Sequence, residues 1–442
     1  MTGTFAEAVF AGKTRIAQRR ERRSADEMRA AEKLDPELLA ADQIKRAMGV
    51  AKHAYLHTRF YREHYTNAGI AQRDLDESAT FEHLPFLDKH DIRRAQDDLL
   101  AETAISRRLL PSTTGGSTGE PLKVYHDRDV PTAALWWRAY RWWGISPSDN
   151  VAHIYRESRT HVQEIAHRVE WWPTRHILLN ARGMDAESMH AFAKDWRSVK
   201  PALLSGYVDG IHEFAQFTLD ATVTVPTPRA IAVTASVLHP SKRLFIEATL
   251  GAPVFDCYRS AEVPWIAAQC RERVGLHVMS DSRVVEIVGA DGRRTAPGVE
   301  GEVVVTDLWN TVFPLLRYRM GDQSAIRAER CACGMSLPLM DPVQGRLVDV
   351  LRSPGGRVVA GGLSVLFNRW PGAVRQFQLR QLADYSVILR VVPGDAADDA
   401  VFAGVASEVS RMLDDSVIVR VERVDRVEHV GGKSRLVISD LS

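Results

Sequence analysis

Lysine is scarce in this chain. Ten of the 57 Lys+Arg residues are lysine, and none occurs between Lys242 and Lys433. Cysteine is rarer still, with four in 442 residues, too few for a disulfide framework. Neither sign of charge is in excess: Lys+Arg number 57 and Asp+Glu 56. A near-neutral chain generates no overall field for nucleic acid or anionic lipid. No apolar run approaches the roughly 18 residues a membrane span needs. Glu7 interrupts the apolar start, so no signal peptide is expected and the expected compartment is the cytoplasm. Hydrophobic content of 45% with 26% charge excludes wholesale disorder, and the length predicts two or more domains.

What is present falls into distinct stretches. Residues 13–34, KTRIAQRRERRSADEMRAAEKL, interleave arginine with acids and predict a solvated helix with i,i+4 opposite-charge pairs. The acidic neighbours argue against a nucleic-acid role for Arg19, Arg20, Arg22 and Arg23. Helical spacing continues to about Gly69. Residues 74–94 predict a loop leading into a helix capped by Asp88 or Asp91. Beyond residue 105 short apolar runs alternate with helical ones (HILLN, ALLSGY, RAIAVTAS, APVFDCY), the rhythm of an α/β domain with buried, mostly parallel strands. Residues 283–327 predict a more antiparallel β-rich region. From about Asp349 two strand patterns around a helix predict a small α+β domain.

Three segments suggest chemistry. Ser112-Thr113-Thr114-Gly115-Gly116-Ser117-Thr118-Gly119-Glu120-Pro121 combines small residues and hydroxyls, the material of a backbone cradle for phosphate, without being a Walker A loop. Asp256-Cys257-Tyr258-Arg259-Ser260-Ala261-Glu262 ends an apolar strand, where α/β sheets bind ligands; Glu262 suits Mg²⁺ and Tyr258 suits a base. Arg317-Tyr318-Arg319-Met320-Gly321-Asp322 offers a carboxylate on a tight turn, able to accept two hydrogen bonds from a ribose diol. Each of these alone is most often an ordinary turn or surface feature.

In order and together they resemble a known family. TGGSTGEP, GYVDGI, AVTASVL, FDCYRSAE, GEVVVTDLWN, LLRYRMGD, CACG, GRLVDVL and GGKSR are similar to motifs of the adenylate-forming ligases, specifically the phenylacetate–CoA ligase branch and its CapK-like relatives. The resemblance covers most of the chain. It implies a large N-terminal α/β domain with a β-rich subdomain over residues 1–348 and a small mobile C-terminal α+β domain over 349–442. It also implies a two-step reaction. A carboxylic acid attacks the α-phosphate of ATP, giving an acyl-adenylate and pyrophosphate; a thiol, foremost coenzyme A, then displaces AMP. The alternative acceptors are an amine or a carrier-protein thiol.

By the same resemblance Thr114, Gly116, Ser117, Thr118 and Gly119 would cradle phosphates, and Asp256 and Tyr258 would flank adenine. Asp322 would take the ribose hydroxyls, Arg346 would reach the nucleotide, and Asp349 would mark the hinge. Glu262 would assist Mg²⁺. Lys433 would bridge carboxylate and α-phosphate and later swing away. The chain departs from the family pattern at Gly115, at Arg259 in place of a glycine, and at Val348 in place of an aspartate. Arg259 puts a large cation near the site.

Cys270, His277, Cys331 and Cys333 form a Cys₃His set of tetrahedral zinc type, with buried free thiols as the alternative; Cys257 is left over as a packed strand residue. Trp136, Tyr140 and Trp143 share one helical face, more often core than ligand box. The tryptophan-rich stretch follows the phosphate loop, which in the resembling family lies near the acyl pocket. That favours an aromatic or apolar acid, with Trp137, Tyr207 and Ser236 as pocket candidates. No membrane or nucleic-acid partner is expected, and monomer and homodimer stay open. A catalytically silent nucleotide-binding protein is disfavoured because Lys433, Asp322 and Glu262 are all present. The arginine excess reads as compositional bias. Against it, the one lysine after Lys242 stands where the family needs a slender, movable ammonium.

Overall fold

The computed structural model describes residues 2–104, 108–113, 122–157, 159–344, 351–359, 363, 366–367, 370, 372–430, 433–434 and 436–441. The chain divides into two compact units, each built from two chain segments: Met1–Asp149 with Phe255–Pro342, and Asn150–Val254 with Val343–Ser442.

The first unit opens with helices Thr2–Ala17, Arg19–Ala31, Pro36–His57 and Arg59–Asn67. The arginine-rich stretch is thus two helices, parted at Gln18, whose φ of −126° and ψ of 45° leave the helical region. Its exposed face carries the expected i,i+4 pair, Arg23 to Glu27 at 2.7 Å. Its other face is buried at Met28 and Ala31. Asp35 caps the next helix by accepting from Glu37 N at 2.8 Å, with Pro36 in the first turn, where its missing N–H costs nothing. Thr58 separates the third and fourth helices: its hydroxyl donates to Ala54 O at 2.8 Å and accepts from Tyr61 N at 3.2 Å. The helical run ends at Asn67, and Gly69 turns away with φ +76°. Asp88 caps Lys89–Ala95 in a reciprocal box with Asp91.

The expected antiparallel region is three strands, Arg283–Val288, Gly301–Asp307 and Tyr318–Ser324, in that spatial order. A further antiparallel set joins Val254–Tyr258, Ala267–Gln269, Leu276–Val278 and Leu339–Met340. A buried ionic knot fastens the N-terminal helices to the aromatic helix Thr132–Trp142. Arg138 donates to Asp281 Oδ1 at 2.9 Å and lies 3.3 Å from Glu32, which also accepts from Trp142 Nε1 at 3.0 Å. Within the aromatic cluster Trp143 stacks on Phe255 at 5.3 Å and donates to Gln269 O at 2.7 Å, so this face is core.

In the second unit, strands Ala230–Thr234, Leu203–Tyr207, Val151–Tyr155 and His176–Asn180 are parallel neighbours in that order. Helices Ala186–Val199 and Val208–Asp220 cover one face through a core of Ala152, Ile154, Leu179, Trp196, Leu204 and Phe214. Gly206 permits this packing, since a Cβ there would stand 2.6 Å from Ile154 O. The C-terminal segment has strands Val419–Arg423, Val387–Pro393, Val374–Gln381 and Val437–Ser439 in that order. Helix Asp399–Met412, capped by Asp398, packs Phe402, Val405 and Val409 into a separate core. This is the α+β pattern the sequence predicts.

Candidate active site

The strand Val254–Tyr258 alternates: Phe255 and Cys257 are buried, while Asp256 and Tyr258 are half-buried on the opposite face. The backbone of Asp256 donates to Gln269 Oε1 at 3.0 Å. After the strand, Ser260 and Val263 close a tight loop, with Val263 N donating to Ser260 Oγ at 2.9 Å. His126 Nε2 donates to Ala261 O at 2.8 Å. These contacts hold Glu262 at 6% exposure, where it accepts from Tyr318 Oη at 3.2 Å.

Asp322 comes from the far end of the antiparallel region. The register slips between Glu302 and Val304, opposite Gly321, whose φ is +76°. A bulge of this kind re-aims the residue that follows it. Lys89 Nζ donates to Met320 O at 3.1 Å and fixes the bulged strand. Asp322 Oδ2 then accepts from Tyr258 Oη at 2.7 Å. Arg317, the residue before the strand, adopts φ +45° although it is not glycine. It is held there by 3.1 Å contact with Glu286 and by donating to Glu82 O and Leu84 O, both at 2.7 Å. Two hydroxyl–carboxylate pairs therefore join the same two segments: Tyr258 with Asp322, and Tyr318 with Glu262. Arg259 lies over the Trp265 ring at 5.0 Å.

Cys270, His277, Cys331 and Cys333 meet with all four ligand atoms within 4.8 Å of one another. Leu339 stands opposite His277 in the sheet, which carries the Cys331-Ala332-Cys333 segment to the Cys270–His277 arm. Cys270 Sγ is 3.6 Å from Cys331 Sγ, and Cys333 Sγ is 3.3 Å from His277 Nε2. A tetrahedral zinc site has S–S edges of about 3.8 Å and S–N edges of about 3.6 Å, so the residues fit the ion. His277 Nδ1 donates to Leu337 O at 3.1 Å, leaving the Nε2 lone pair facing the sulfurs. Burial pushes the Cys270 thiol up to about 12 and holds His277 below its ordinary value.

The other predicted residues have their own surroundings. Trp137 packs edge-on against Phe10 at 5.4 Å. Ser236 donates to Asp209 Oδ2 at 2.8 Å, and Asp209 also takes Lys242 at 2.6 Å. Tyr207 ends a parallel strand beside Tyr155, with ring centroids 5.2 Å apart. Thr114, Gly116, Ser117, Thr118, Gly119, Arg346 and Asp349 lie outside the described residues. The strands flanking the Ser/Thr/Gly segment, Leu109–Thr113 and Lys123–Asp127, are antiparallel partners with Thr113 opposite Lys123. Lys433 lies on the two-residue strand Lys433–Ser434, paired with His429–Val430. Sequence reasoning left Tyr318 and Gln269 without a role. Tyr318 lies inside the LLRYRMGD motif, so its place was marked there; nothing local marks Gln269.

No family model matches the chain. The curated protein CapK of Staphylococcus aureus is 24% identical over 373 residues, covering 82% of this chain and 81% of that protein. The phenylacetate–coenzyme A ligase of Escherichia coli K12 is 25% identical over 331 residues, covering 72% of this chain and 75% of that one. The chain is thus similar, over most of its length, to proteins of the adenylate-forming kind, phenylacetate–CoA ligases among them. The fold agrees: a 2-hydroxyisobutyryl-CoA ligase structure in the postadenylation state superposes with a TM-score of 0.77 at 20% identity. The match covers 93% of this chain and 91% of that one. The paired Tyr258–Asp322 and Tyr318–Glu262 contacts fall within the sequence segments to which the family resemblance assigns nucleotide and Mg²⁺ groups.

Proposed function

We propose that the chain activates a carboxylic acid with ATP and passes the acyl group to coenzyme A. Two pairs built from distant motifs, Tyr258–Asp322 and Tyr318–Glu262, carry this reading, together with relatives named as CoA ligases. Those names favour a thiol acceptor over an amine.

In the first step a carboxylate oxygen attacks the α-phosphorus of ATP, the bond to the bridging oxygen breaks, and pyrophosphate leaves. In the second step the thiol sulfur attacks the acyl carbonyl, the acyl–phosphate C–O bond breaks, and AMP leaves as the thiol proton is given up. Asp322 holds the ribose diol, and Tyr258 orients that carboxylate while presenting its ring to the base. Lys433 pairs with the carboxylate and the α-phosphate as charge builds between them. Glu262, oriented by Tyr318, would hold Mg²⁺, which neutralises phosphate charge when bound. Thr114, Gly116, Ser117, Thr118 and Gly119 would line the phosphates, and Arg346 would reach the nucleotide. Residues 349–442 move about Asp349 between the two steps. The Cys₃His set holds zinc as a structural staple. The protein acts in the cytoplasm; among the described residues no helix is long and apolar enough to cross a membrane.

The test is pyrophosphate release from Mg-ATP across a panel of carboxylic acids, followed by mass spectrometry of the product with and without coenzyme A. Release with formation of an acyl-CoA is the expected result. Acid-dependent release with no thioester would overturn the acceptor; no release with any acid would overturn the reading.

A further inference from the structure

The four parallel strands of the second unit have two unlike faces. One is the apolar core around Ile154 and Leu204. The other carries His153, Tyr155, His176, Ser205 and Tyr207, which period-2 alternation sets on the opposite side of the sheet. A parallel strand face is ordinarily apolar throughout. Here Tyr155 Oη and Ser205 Oγ are hydrogen-bonded at 2.6 Å, and the His153 and His176 rings lie 5.4 Å apart. His176 Nε2 is buried with no hydrogen-bond partner among the described residues. Burial and its imidazole neighbours keep His176 neutral, with its pKa lowered to about 2. The helix over this face, His161–Trp171, buries none of its own residues.

At the C-terminal end of these strands stands Arg156. Its guanidinium lies 5.4 Å from the centre of the Tyr207 ring. Its Nε is buried without a hydrogen-bond partner, and no acid pairs with it among the described residues. Arg159, by contrast, is already paired with Glu157 at 2.8 Å and with Glu164 at 3.7 Å. A half-buried cation with an unmet donor, at the strand ends where open α/β sheets take ligands, calls for an anion. Stacking on Tyr207 pre-orients the planar fork for a carboxylate.

We infer that Arg156, braced by Tyr207, is a specificity-determining residue that receives a second anionic group on the acid substrate, so that the chain prefers dicarboxylates to apolar monoacids. This rests on the reading of the chain as an acid-activating ligase, and it departs from the aromatic or apolar acid that the tryptophan-rich stretch suggests.

The test uses matched pairs: adipate with hexanoate, and 4-carboxyphenylacetate with phenylacetate. Pyrophosphate release gives kcat/KM, and calorimetry gives binding of each acid to the full-length protein without ATP. In the unsubstituted protein the dicarboxylate of each pair should be favoured at least about tenfold, as a charge-assisted hydrogen bond allows. Arg156→Ala should collapse that ratio, and Arg156→Lys should restore part of it through a lower KM. A monoacid preference in both pairs, or an undiminished ratio in Arg156→Ala, would overturn the inference while leaving the ligase reading intact. Arg156-dependent dicarboxylate binding with no pyrophosphate release would overturn the ligase reading and keep the subsite. Absence of both binding and release would overturn both.

Discussion

Tyr258 and Asp322, 64 residues apart in the chain, share a hydrogen bond of 2.7 Å. One ends a strand and the other follows a glycine bulge on a different sheet. The bond ties the residue proposed to meet adenine to the residue proposed to hold ribose. Asp322→Ala should raise KM for ATP by roughly tenfold or more, the scale of losing charge-assisted hydrogen bonds. Tyr258→Phe should raise it less, since the ring remains. Steady-state kinetics with ATP varied would check both, and an unchanged KM in Asp322→Ala would remove Asp322 from the nucleotide site.

Lys433→Ala should lower acid-dependent pyrophosphate release by on the order of 100-fold or more, the usual scale for losing one charge stabiliser at a reacting centre. ATP affinity, read by calorimetry, should change little. Near-normal release would exclude Lys433 from the first step.

Metal analysis of the purified protein should find one zinc per chain. Cys331→Ser, which removes a thiolate from the four-ligand cluster, should lower both the zinc content and the thermal midpoint by several degrees. Zinc-free protein with an unchanged midpoint in that variant would leave the four residues as packed thiols and a histidine.

The ionic knot at Arg138 gives a stability prediction independent of function. Arg138→Met leaves buried Glu32 and half-buried Asp281 without their shared partner. Breaking such a pair costs about 3–5 kcal/mol, moderated here because Arg141 also donates to Glu32 at 2.5 Å. Chemical denaturation should show the loss; a variant as stable as the parent would mean that the knot contributes nothing.

Two histidines, His212 buried and His176 half-buried with its Nε2 enclosed, set a pH dependence. Burial is the main cause holding His176 near 2 and His212 near 4, with neighbouring cations adding to it. Their folded values lie below the unfolded one, so the unfolded chain binds protons first as pH falls through about 6.5. Stability is therefore full above that value and declines below it, by about 1.4 kcal/mol per pH unit for each histidine. The thermal midpoint should drop between pH 7.5 and 5.5, and His176→Phe should make that drop shallower. An equal drop in both proteins would assign the effect to other groups.

Much of the site's material could be read from the chain alone. Local chemistry decides a cap, a bulge glycine or a helix end, so Asp88, Gly69 and the helix from Asp399 fall where their neighbours predict. The motif order, and Lys433 as the one lysine after Lys242, are likewise properties of the sequence. Strand pairing decided the rest, because register joins residues whose separation along the chain carries no local signal. The pairing of Leu276–Val278 with Leu339–Met340 brings two cysteines to a third and to His277. The bulge opposite Val303 turns Asp322 toward Tyr258, and the same strand supplies Tyr318 to Glu262. Glu32, written into a solvated-looking helix, is buried by Arg138 from more than 100 residues away. The alternation of HIY and SGY reads as ordinary buried strand. Only the parallel register of Val151–Tyr155 with Leu203–Tyr207 sets a tyrosine, a serine and a histidine on one polar face beneath Arg156.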